Sequence, residues 1–202
     1  MSNAQKHMRT DTIPTLFWSR SKEWADRVAM REKDFGVWKS ITWKEYGEKA
    51  KHACLGLISL GLKRGERATI MSENNPEWLF SDMGILAAGA ISVGIYTTDS
   101  AQQVEYILNN CGSRFHFAED EEQLDKVLEA RKNVPSLEKV IVYDMEGLRH
   151  FSDPMVISFD QLLEIGRDME RKDPSLFEKR LQEPAPDDIA ILIYTSGTTG
   201  PP

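Results

Sequence analysis

Short apolar segments that alternate with helical patterns are the strongest constraint on the fold of this chain. Each segment is too short for a helix and is followed by residues whose apolar positions recur at three- and four-residue spacing. The segments of this kind are residues 67–71, 91–95, 115–118 and 139–143. Strand-then-helix order places parallel strands side by side and covers both faces of the sheet with helices. We therefore predict an α/β fold with a parallel sheet flanked by helices.

Local signals predict the elements that precede this pattern. A proline near the start favours a helix over residues 14–25. Residues 28–41 alternate apolar and polar side chains around a central turn, which predicts a β-hairpin. Thr42 and Glu45 have the spacing of a capping box, so the next helix is expected to begin there and to end at Gly61.

The character of the chain changes after residue 144. A polar loop leads to a short predicted strand over residues 156–159 and to a helix from about residue 160. Residues 164–188 carry many charges of both signs, which is typical of a solvated helix or a surface connector. Residues 188–194 are again mostly apolar, and we predict a buried strand there.

Charge and cysteine content exclude several classes of protein. The formal net charge of −7 argues against broad nucleic-acid binding, because proteins that neutralise phosphates present a basic face. No apolar stretch approaches the ~20 residues that span a bilayer, which leaves only peripheral contact with a membrane open. Cys54 and Cys111 do not form a metal- or disulfide-type pair, so a reducing, cytoplasmic location is expected.

A run of hydroxyl and glycine residues directly follows the predicted strand at residues 188–194. It consists of Thr195, Ser196, Gly197, Thr198, Thr199 and Gly200. Ligands of parallel sheets gather beyond the carboxyl ends of strands, glycine allows close approach to the backbone, and hydroxyl and amide groups donate to anions. The run therefore predicts a site for polyphosphate oxygens. Without its position it would be typical of a solvated linker, and it lacks the lysine of the common P-loop motif.

Residues 194–201 resemble the signature loop of the adenylate-forming enzymes, the group that includes acyl-CoA synthetases, luciferases and the adenylation domains of peptide synthetases. Four upstream segments are similar to the N-terminal half of long-chain fatty acid CoA ligases: residues 41–46, 61–68, 73–78 and 87–96. Two positions depart from the family. Thr97 follows Tyr96 where the family often has proline, and the chain reaches Pro202 before the family's lysine.

The resemblance implies a two-step ligase reaction. A carboxylate attacks the α-phosphorus of ATP to give an acyl-adenylate and pyrophosphate, and the thiol of coenzyme A then displaces AMP, with Mg²⁺ assisting the first step. Residues 195–200, which match the family's loop, would hold the β- and γ-phosphates while charge accumulates on the leaving pyrophosphate. No catalytic or metal-binding residue is assigned within the chain.

The resemblance also implies how the chain is organised. Residues 1–10 contain a Ser-Asn-Ala sequence typical of tag cleavage and are expected to be a flexible tag scar. Residues 11–202 are expected to form an incomplete N-terminal portion of the acyl-CoA synthetase-like large domain (the AMP-binding domain), ending inside the phosphate loop. The family's adenine-binding segment and C-terminal domain are not matched. The fragment alone is therefore expected to be inactive and to self-associate through exposed sheet edges.

Three functions stay open. The leading prediction is that the parent protein is an ATP-dependent long-chain fatty acid CoA ligase, with fatty acid, ATP and CoA as its small-molecule substrates. Adenylation of another carboxylic acid, aryl or medium-chain, would use the same chemistry. The third alternative is a non-catalytic nucleotide-binding or interaction module built from this half of the fold.

Other polar and aromatic residues have simpler interpretations. His116 lies in an apolar strand and is expected to be a packed, hydrogen-bonded core residue, whereas His52 and His150 are expected at the surface. The four carboxylates at residues 119–122 are interpreted as a solvated helix start and not as a metal site. Trp78 is expected to pack in the core, with the lining of an acyl tunnel as the alternative.

Overall fold

The computed structural model describes residues 11–195 of the chain, which form alternating strands and helices. The strands among these residues are β1 (Val28–Asp34), β2 (Val37–Thr42), β3 (Arg67–Met71), β4 (Ile91–Ile95), β5 (Ser113–Ala118), β6 (Lys139–Val142), β7 (Val156–Ser158) and β8 (Ile191–Ile193). The α-helices are α1 (Ile13–Glu23), α2 (Trp43–Ser59), α3 (Pro76–Ala87), α4 (Ala101–Cys111), α5 (Glu121–Ala130), α6 (Phe159–Lys172) and α7 (Leu176–Leu181). A 3₁₀ turn at Arg131–Asn133 follows α5.

Strands β3 to β8 form one sheet in the order β7-β6-β5-β3-β4-β8, and every neighbouring pair is parallel. Strands β1 and β2 form a separate antiparallel hairpin. Because each parallel connection crosses over the sheet, helices cover both of its faces. The predicted α/β class, with a parallel sheet flanked by helices, is confirmed.

Several helix starts follow side-chain chemistry that is visible in the sequence. At the start of α2 the amide of Glu45 donates to Thr42 Oγ1 over 3.2 Å, and the amide of Thr42 donates to Glu45 Oε2 over 2.7 Å. Ser100 and Gln103 form the same reciprocal pair at the start of α4. These bonds satisfy amides that would otherwise lack partners in the first helical turn.

The two faces of the sheet bury separate apolar clusters. Helices α2, α3, α6 and α7 cover the face to which Ile70, Phe115 and Phe117 point. Helices α4 and α5 cover the opposite face, where Met71 and Val93 are buried. Alternation of side chains along each strand therefore divides the core into two layers.

Helix α6 lies unusually close to α2. A Cβ atom added at Gly166 would stand 1.9 Å from the backbone oxygen of His52, and one added at Gly56 would stand 2.4 Å from the backbone oxygen of Leu162. Both distances are far below a van der Waals contact, so only glycine at these two positions allows the observed helix crossing.

The prediction of a solvated helix or a surface connector over residues 164–188 is right for the helices but wrong for their inner side. Most charged residues of this segment lie on the outer surface, but Gly166 packs on α2, and Phe177 and Leu181 of α7 are buried in the core. The charged residues dominate the composition of this segment, and they lie on the outer side of the helices. The apolar residues on the inner side were therefore not recognised from the sequence. The predicted strand over 156–159 is also one residue too long, since Phe159 begins α6.

The strand predicted over residues 188–194 is present but shorter, and the prediction that it is buried is wrong. Only residues 191–193 are a strand, and within the described part of the chain β8 has a single neighbour, β4. Ile189, Ile191 and Ile193 are exposed, Ile193 by 76%. Leu192 and Tyr194 pack against the cluster beneath α4 and α5. An edge strand buries apolar residues only on the face that a helix covers, so apolar composition by itself overstated the burial.

Candidate functional site

The carboxyl ends of β3, β4, β5 and β8 meet at one edge of the sheet, and the loops that follow them form the candidate site. Thr195 stands just after β8 at this edge and is exposed. Ser196, Gly197, Thr198, Thr199 and Gly200, the other predicted phosphate-binding residues, lie outside the described residues. The structure therefore shows where the predicted loop begins.

The start of the loop is tied to a neighbouring helix. Tyr194 Oη donates to Oδ1 of Asn110 on α4 over 2.6 Å. Partial burial raises the pKa of the Tyr194 phenol above its ordinary value, so the hydroxyl remains protonated and available as a donor. This bond holds the backbone on the N-terminal side of Thr195 against α4.

A cleft of about 310 Å³ opens beside the end of β8. Its walls combine apolar side chains with polar loop residues. The lining comprises Ser72, Glu73, Asn74, Trp78, Gly94, Ile95, Tyr96, Thr97, Leu192, Ile193 and Tyr194. A second cleft, of about 420 Å³, lies toward α4 and shares Gly94, Tyr96 and Tyr194 with the first. Both clefts reach the point where the predicted phosphate-binding run begins.

Gly94 lines both clefts, and its lack of a side chain leaves free space between them. A Cβ atom added there would meet no heavy atom within 4 Å. A glycine inside a strand removes a packing side chain and often marks a place where a ligand or another backbone approaches. That signal was present in the sequence, but only the position of β8 beside β4 shows that Gly94 lines a cleft together with Thr195.

Hydrogen bonds hold the loops after β3, β4 and β5 together. The amide of Glu73 donates to Glu119 Oε2 over 2.7 Å, Thr97 Oγ1 donates to Glu73 Oε1 over 2.5 Å, and Lys126 Nζ donates to the Thr97 carbonyl over 2.6 Å. Hydrogen bonds from side chains thus connect the loops at the rim of the site before any ligand binds. Such preorganisation favours binding of a ligand in one orientation.

The residues that sequence patterns singled out outside the loop have structural roles. His116 is fully buried, and its Nδ1 atom lies 2.8 Å from Thr69 Oγ1, which confirms the predicted hydrogen-bonded core residue. His150 is exposed as predicted. His52 is largely buried and its Nε2 atom lies 2.8 Å from Glu170 Oε2, so the prediction of a surface residue is wrong. The contact with α6 covers most of its side chain.

Trp78 and the acidic segment occupy the rim of the site. Trp78 packs partly against the core, as predicted, and also lines the first cleft. Asp120 caps α5 by accepting from the amide of Gln123, which confirms the helix start predicted over residues 119–122. Within residues 11–195 no group of three or more His, Cys, Asp or Glu side chains is arranged to hold a metal ion. No helix in that range is long and apolar enough to cross a membrane.

Curated relatives cover nearly the whole chain. It is 34% identical over 191 residues to "Long-chain-fatty-acid--CoA ligase ACSBG2" of Xenopus laevis, which covers 95% of this chain and 25% of that protein. It is 35% identical over 192 residues to "Long-chain-fatty-acid--CoA ligase FadD15" of Mycobacterium bovis, covering 95% of this chain and 30% of that protein. The chain thus spans between a quarter and a third of the length of these relatives.

Solved structures share the fold. An anthranilate CoA ligase, AuaEII, in complex with anthranoyl-AMP, matches with a TM-score of 0.74 and 27% identity, over 94% of this chain and 33% of that one. A luciferase-like enzyme from the nonluminescent mealworm Zophobas morio matches with a TM-score of 0.72 and 20% identity, over 92% of this chain and 40% of that one. The second likeness shows the fold alone.

The match to a protein family extends beyond the described residues and includes the whole hydroxyl- and glycine-rich run. Residues 17–202 match the family described as "AMP-binding enzyme". The relatives, which cover 95% of the chain, agree with this match. The chain therefore belongs to the AMP-binding enzyme family.

Proposed function

We propose that residues 11–202 are the N-terminal part of a larger AMP-binding domain, and that the whole protein is an ATP-dependent long-chain fatty acid CoA ligase. The names of the relatives at 34% and 35% identity support the substrate class. The small share of those relatives that the chain covers supports the domain assignment. Adenylation of the fatty acid, followed by transfer of the acyl group to CoA, is the proposed reaction.

The observation that carries this proposal is the position of Thr195. It begins the hydroxyl- and glycine-rich run at the carboxyl edge of a parallel sheet, where ligands of such sheets bind. The donors of the run, hydroxyls and backbone N–H groups, have the chemistry that phosphate oxygens accept. Thr195, Ser196, Gly197, Thr198, Thr199 and Gly200 are the proposed ligands of the ATP phosphates.

The contribution of the described residues is to position this run. The bond from Tyr194 to Asn110 holds its start against α4, and the linked loops around Glu73 and Thr97 shape the cleft beside it. Donors fixed before the reaction stabilise charge on the leaving phosphates without reorganisation. The described residues bring together no carboxylate cluster suited to Mg²⁺, so no metal ligand is proposed among them. Mg²⁺, when bound, would neutralise phosphate charge, and CoA would supply the thiol.

Removal of one loop hydroxyl tests the role of the run. In the full-length protein we expect Thr198→Ala to lower the rate of pyrophosphate release with palmitate and ATP by about 10²-fold, as found when one preorganised donor is lost. Thr98→Ala removes an exposed hydroxyl at the same sheet edge but outside the run, and it should leave the rate within twofold. Equal rates for the two variants would contradict the assignment of the loop.

A panel of acids separates the proposed substrate class from the aryl alternative, which the 27% identity to an anthranilate CoA ligase favours. The full-length protein is assayed for pyrophosphate release with long-chain, medium-chain and aryl acids at equal concentration. Faster release with long-chain acids supports the proposal, whereas preference for an aryl or medium-chain acid replaces the substrate class. No release with any acid would favour a non-catalytic module.

For the 202-residue chain alone we expect no adenylation and only weak ATP binding, because the run supplies a fraction of the contacts that hold a nucleotide. Isothermal titration calorimetry with ATP checks this expectation. A micromolar dissociation constant would show that the chain holds ATP without the rest of the protein.

A further inference from the structure

The tip of the β1–β2 hairpin holds an aromatic residue in an unfavourable backbone conformation. Asp34 and Val37 pair across a two-residue turn, and the two turn residues, Phe35 and Gly36, have φ angles of 44° and 85°. Two positive φ angles correspond to a type I′ turn, whose first position favours asparagine, aspartate or glycine. A bulky residue rarely adopts this conformation. The side chain of Phe35 is fully exposed, with a relative exposure of 102%, so its ring gains no packing in return.

The two faces of the hairpin differ in charge. Register places Arg31, Lys33, Trp38 and Ser40 on one face, where Lys33 Nζ lies 6.0 Å from the centre of the Trp38 ring. The opposite face holds both carboxylates of the hairpin, Glu32 and Asp34, and Asp34 pairs there with Lys39.

The acidic face is the one turned toward the body of the protein, because Met30 and Ile41 on it pack against the core. The other face, called here the cationic aromatic face, consists of Arg31, Lys33, Trp38 and Ser40. It is directed to solvent and carries no carboxylate of the hairpin. Trp38 on this face is 63% exposed.

We propose that the cationic aromatic face and the Phe35 tip dock on an anionic lipid bilayer. Phe35 enters the hydrocarbon boundary, Trp38 lies at the depth of the headgroups, and Arg31 and Lys33 contact lipid phosphates. Tryptophan favours the membrane interface, and basic residues near an anionic leaflet strengthen binding. The conformational cost of Phe35 is then offset in the membrane-bound state. This docking is independent of the ligase reaction proposed above.

Charge complementarity favours a lipid surface over the other anionic partners. The chain carries a net charge of −7, so an anionic surface repels most of the molecule and attracts it only through its basic face, which orients that face toward the lipid. Nucleic acid would require a wider basic surface than two cations provide. A fully exposed phenylalanine at the tip matches hydrocarbon, which a duplex backbone does not offer.

Vesicle sedimentation tests the proposal on the 202-residue chain. With vesicles of phosphatidylcholine and phosphatidylglycerol at 3:1 we expect salt-sensitive binding, at least tenfold stronger than to phosphatidylcholine alone. Phe35→Asn should weaken this binding at least fivefold and leave the melting temperature unchanged or higher, because asparagine suits the turn. The matched control Phe151→Asn removes an exposed phenylalanine outside the hairpin and should leave binding unchanged.

Two further variants test charge and depth. Lys33→Gln and Arg31→Gln should each weaken binding about fivefold at low salt. Vesicles with brominated acyl chains should quench tryptophan fluorescence in the unchanged chain, and Trp38→Phe should remove most of that quenching.

The proposal would be overturned by equal binding to neutral and anionic vesicles, by undiminished binding of Phe35→Asn, or by quenching that survives Trp38→Phe. Binding to a DNA duplex with no binding to vesicles would overturn it as well.

Discussion

His116 is a titratable group enclosed by the sheet, and its surroundings determine how the fold responds to acid. Its ring is fully buried, Nδ1 meets Thr69 Oγ1, and Nε2 has no hydrogen-bond partner. Burial lowers the pKa of His116 from 6.5 to about 3, because the charged ring would be desolvated. The folded protein therefore holds this histidine neutral across the range in which an unfolded chain would protonate it.

This difference predicts a loss of stability in acid. As the pH falls below 6.5, the unfolded chain binds the proton before the folded chain does. The contribution of neutral His116 to the free energy of unfolding is therefore fully present above pH 6.5 and is lost between pH 6.5 and about 3. The slope expected from one such group is about 1.4 kcal/mol per pH unit. Urea unfolding of the 202-residue chain at pH 7.5 and pH 5 measures it, and His116→Asn should reduce the difference between the two free energies of unfolding by roughly 2 kcal/mol.

The matched control is His150→Asn, which removes an exposed imidazole and leaves the buried one in place. It should reproduce the pH dependence of the unchanged chain. If His116→Asn also reproduced that dependence, carboxylates would be responsible for the acid sensitivity and the role of His116 would be refuted.

At the scale of elements, the close contact between α2 and α6 depends on glycine residues, which have no side chain to separate the two helices. Gly166 meets the backbone oxygen of His52, and on the same interface His52 Nε2 and Lys51 Nζ each lie 2.8 Å from a carboxylate oxygen of Glu170. The sequence alone could not predict this contact, because the two helices are far apart along the chain and Gly166 lies in a charged segment. By contrast, the start of α2 at Thr42 was predictable because both capping partners lie within four residues.

Gly166→Ala should separate the two helices and destabilise the fold by about 1–3 kcal/mol, the range found for overpacking of a rigid core. Gly94→Ala is the control, since its added methyl group meets open space, and replacing glycine there should leave stability equal or slightly higher. Urea midpoints of the two variants measure the difference. Equal midpoints would show that α6 shifts to accommodate the methyl group at little cost.

At the scale of the whole molecule, β8 presents an unpaired edge within the described residues. Its outer isoleucines and its free backbone groups form a template on which a second chain could pair. We expect the 202-residue chain to self-associate with rising concentration. Ile193→Lys should shift sedimentation velocity profiles toward the monomer, whereas Leu16→Lys, an equal charge change on an exposed residue of α1, should not. A monomer at all concentrations would contradict this expectation.

The chemistry proposed for the candidate site rests on a local sequence pattern, whereas the shape of the site could not be predicted from the sequence. The run from Thr195 to Gly200 predicts phosphate binding because it directly follows an apolar segment, and both signals lie within a few residues of each other in the sequence. Other features of the site depend on β8 lying beside β4. They are the hydrogen bond between Tyr194 and Asn110 and the cleft lined by Gly94 and Tyr96. Strand order results from packing of the whole sheet, so no local pattern specifies it.

The same strand order has a consequence for synthesis on the ribosome. The first strand of the sheet to be made, β3, lies inside the sheet, and later strands extend it on both sides. Strand β8 is the last of them, and it pairs with β4 through contacts as distant in sequence as Gly94 and Ile193. A chain that emerges from its N-terminus can therefore assemble the other five strands before β8 appears. Thr195, the start of the proposed phosphate-binding run, therefore takes its place at the carboxyl edge of the sheet only when this short strand docks on β4.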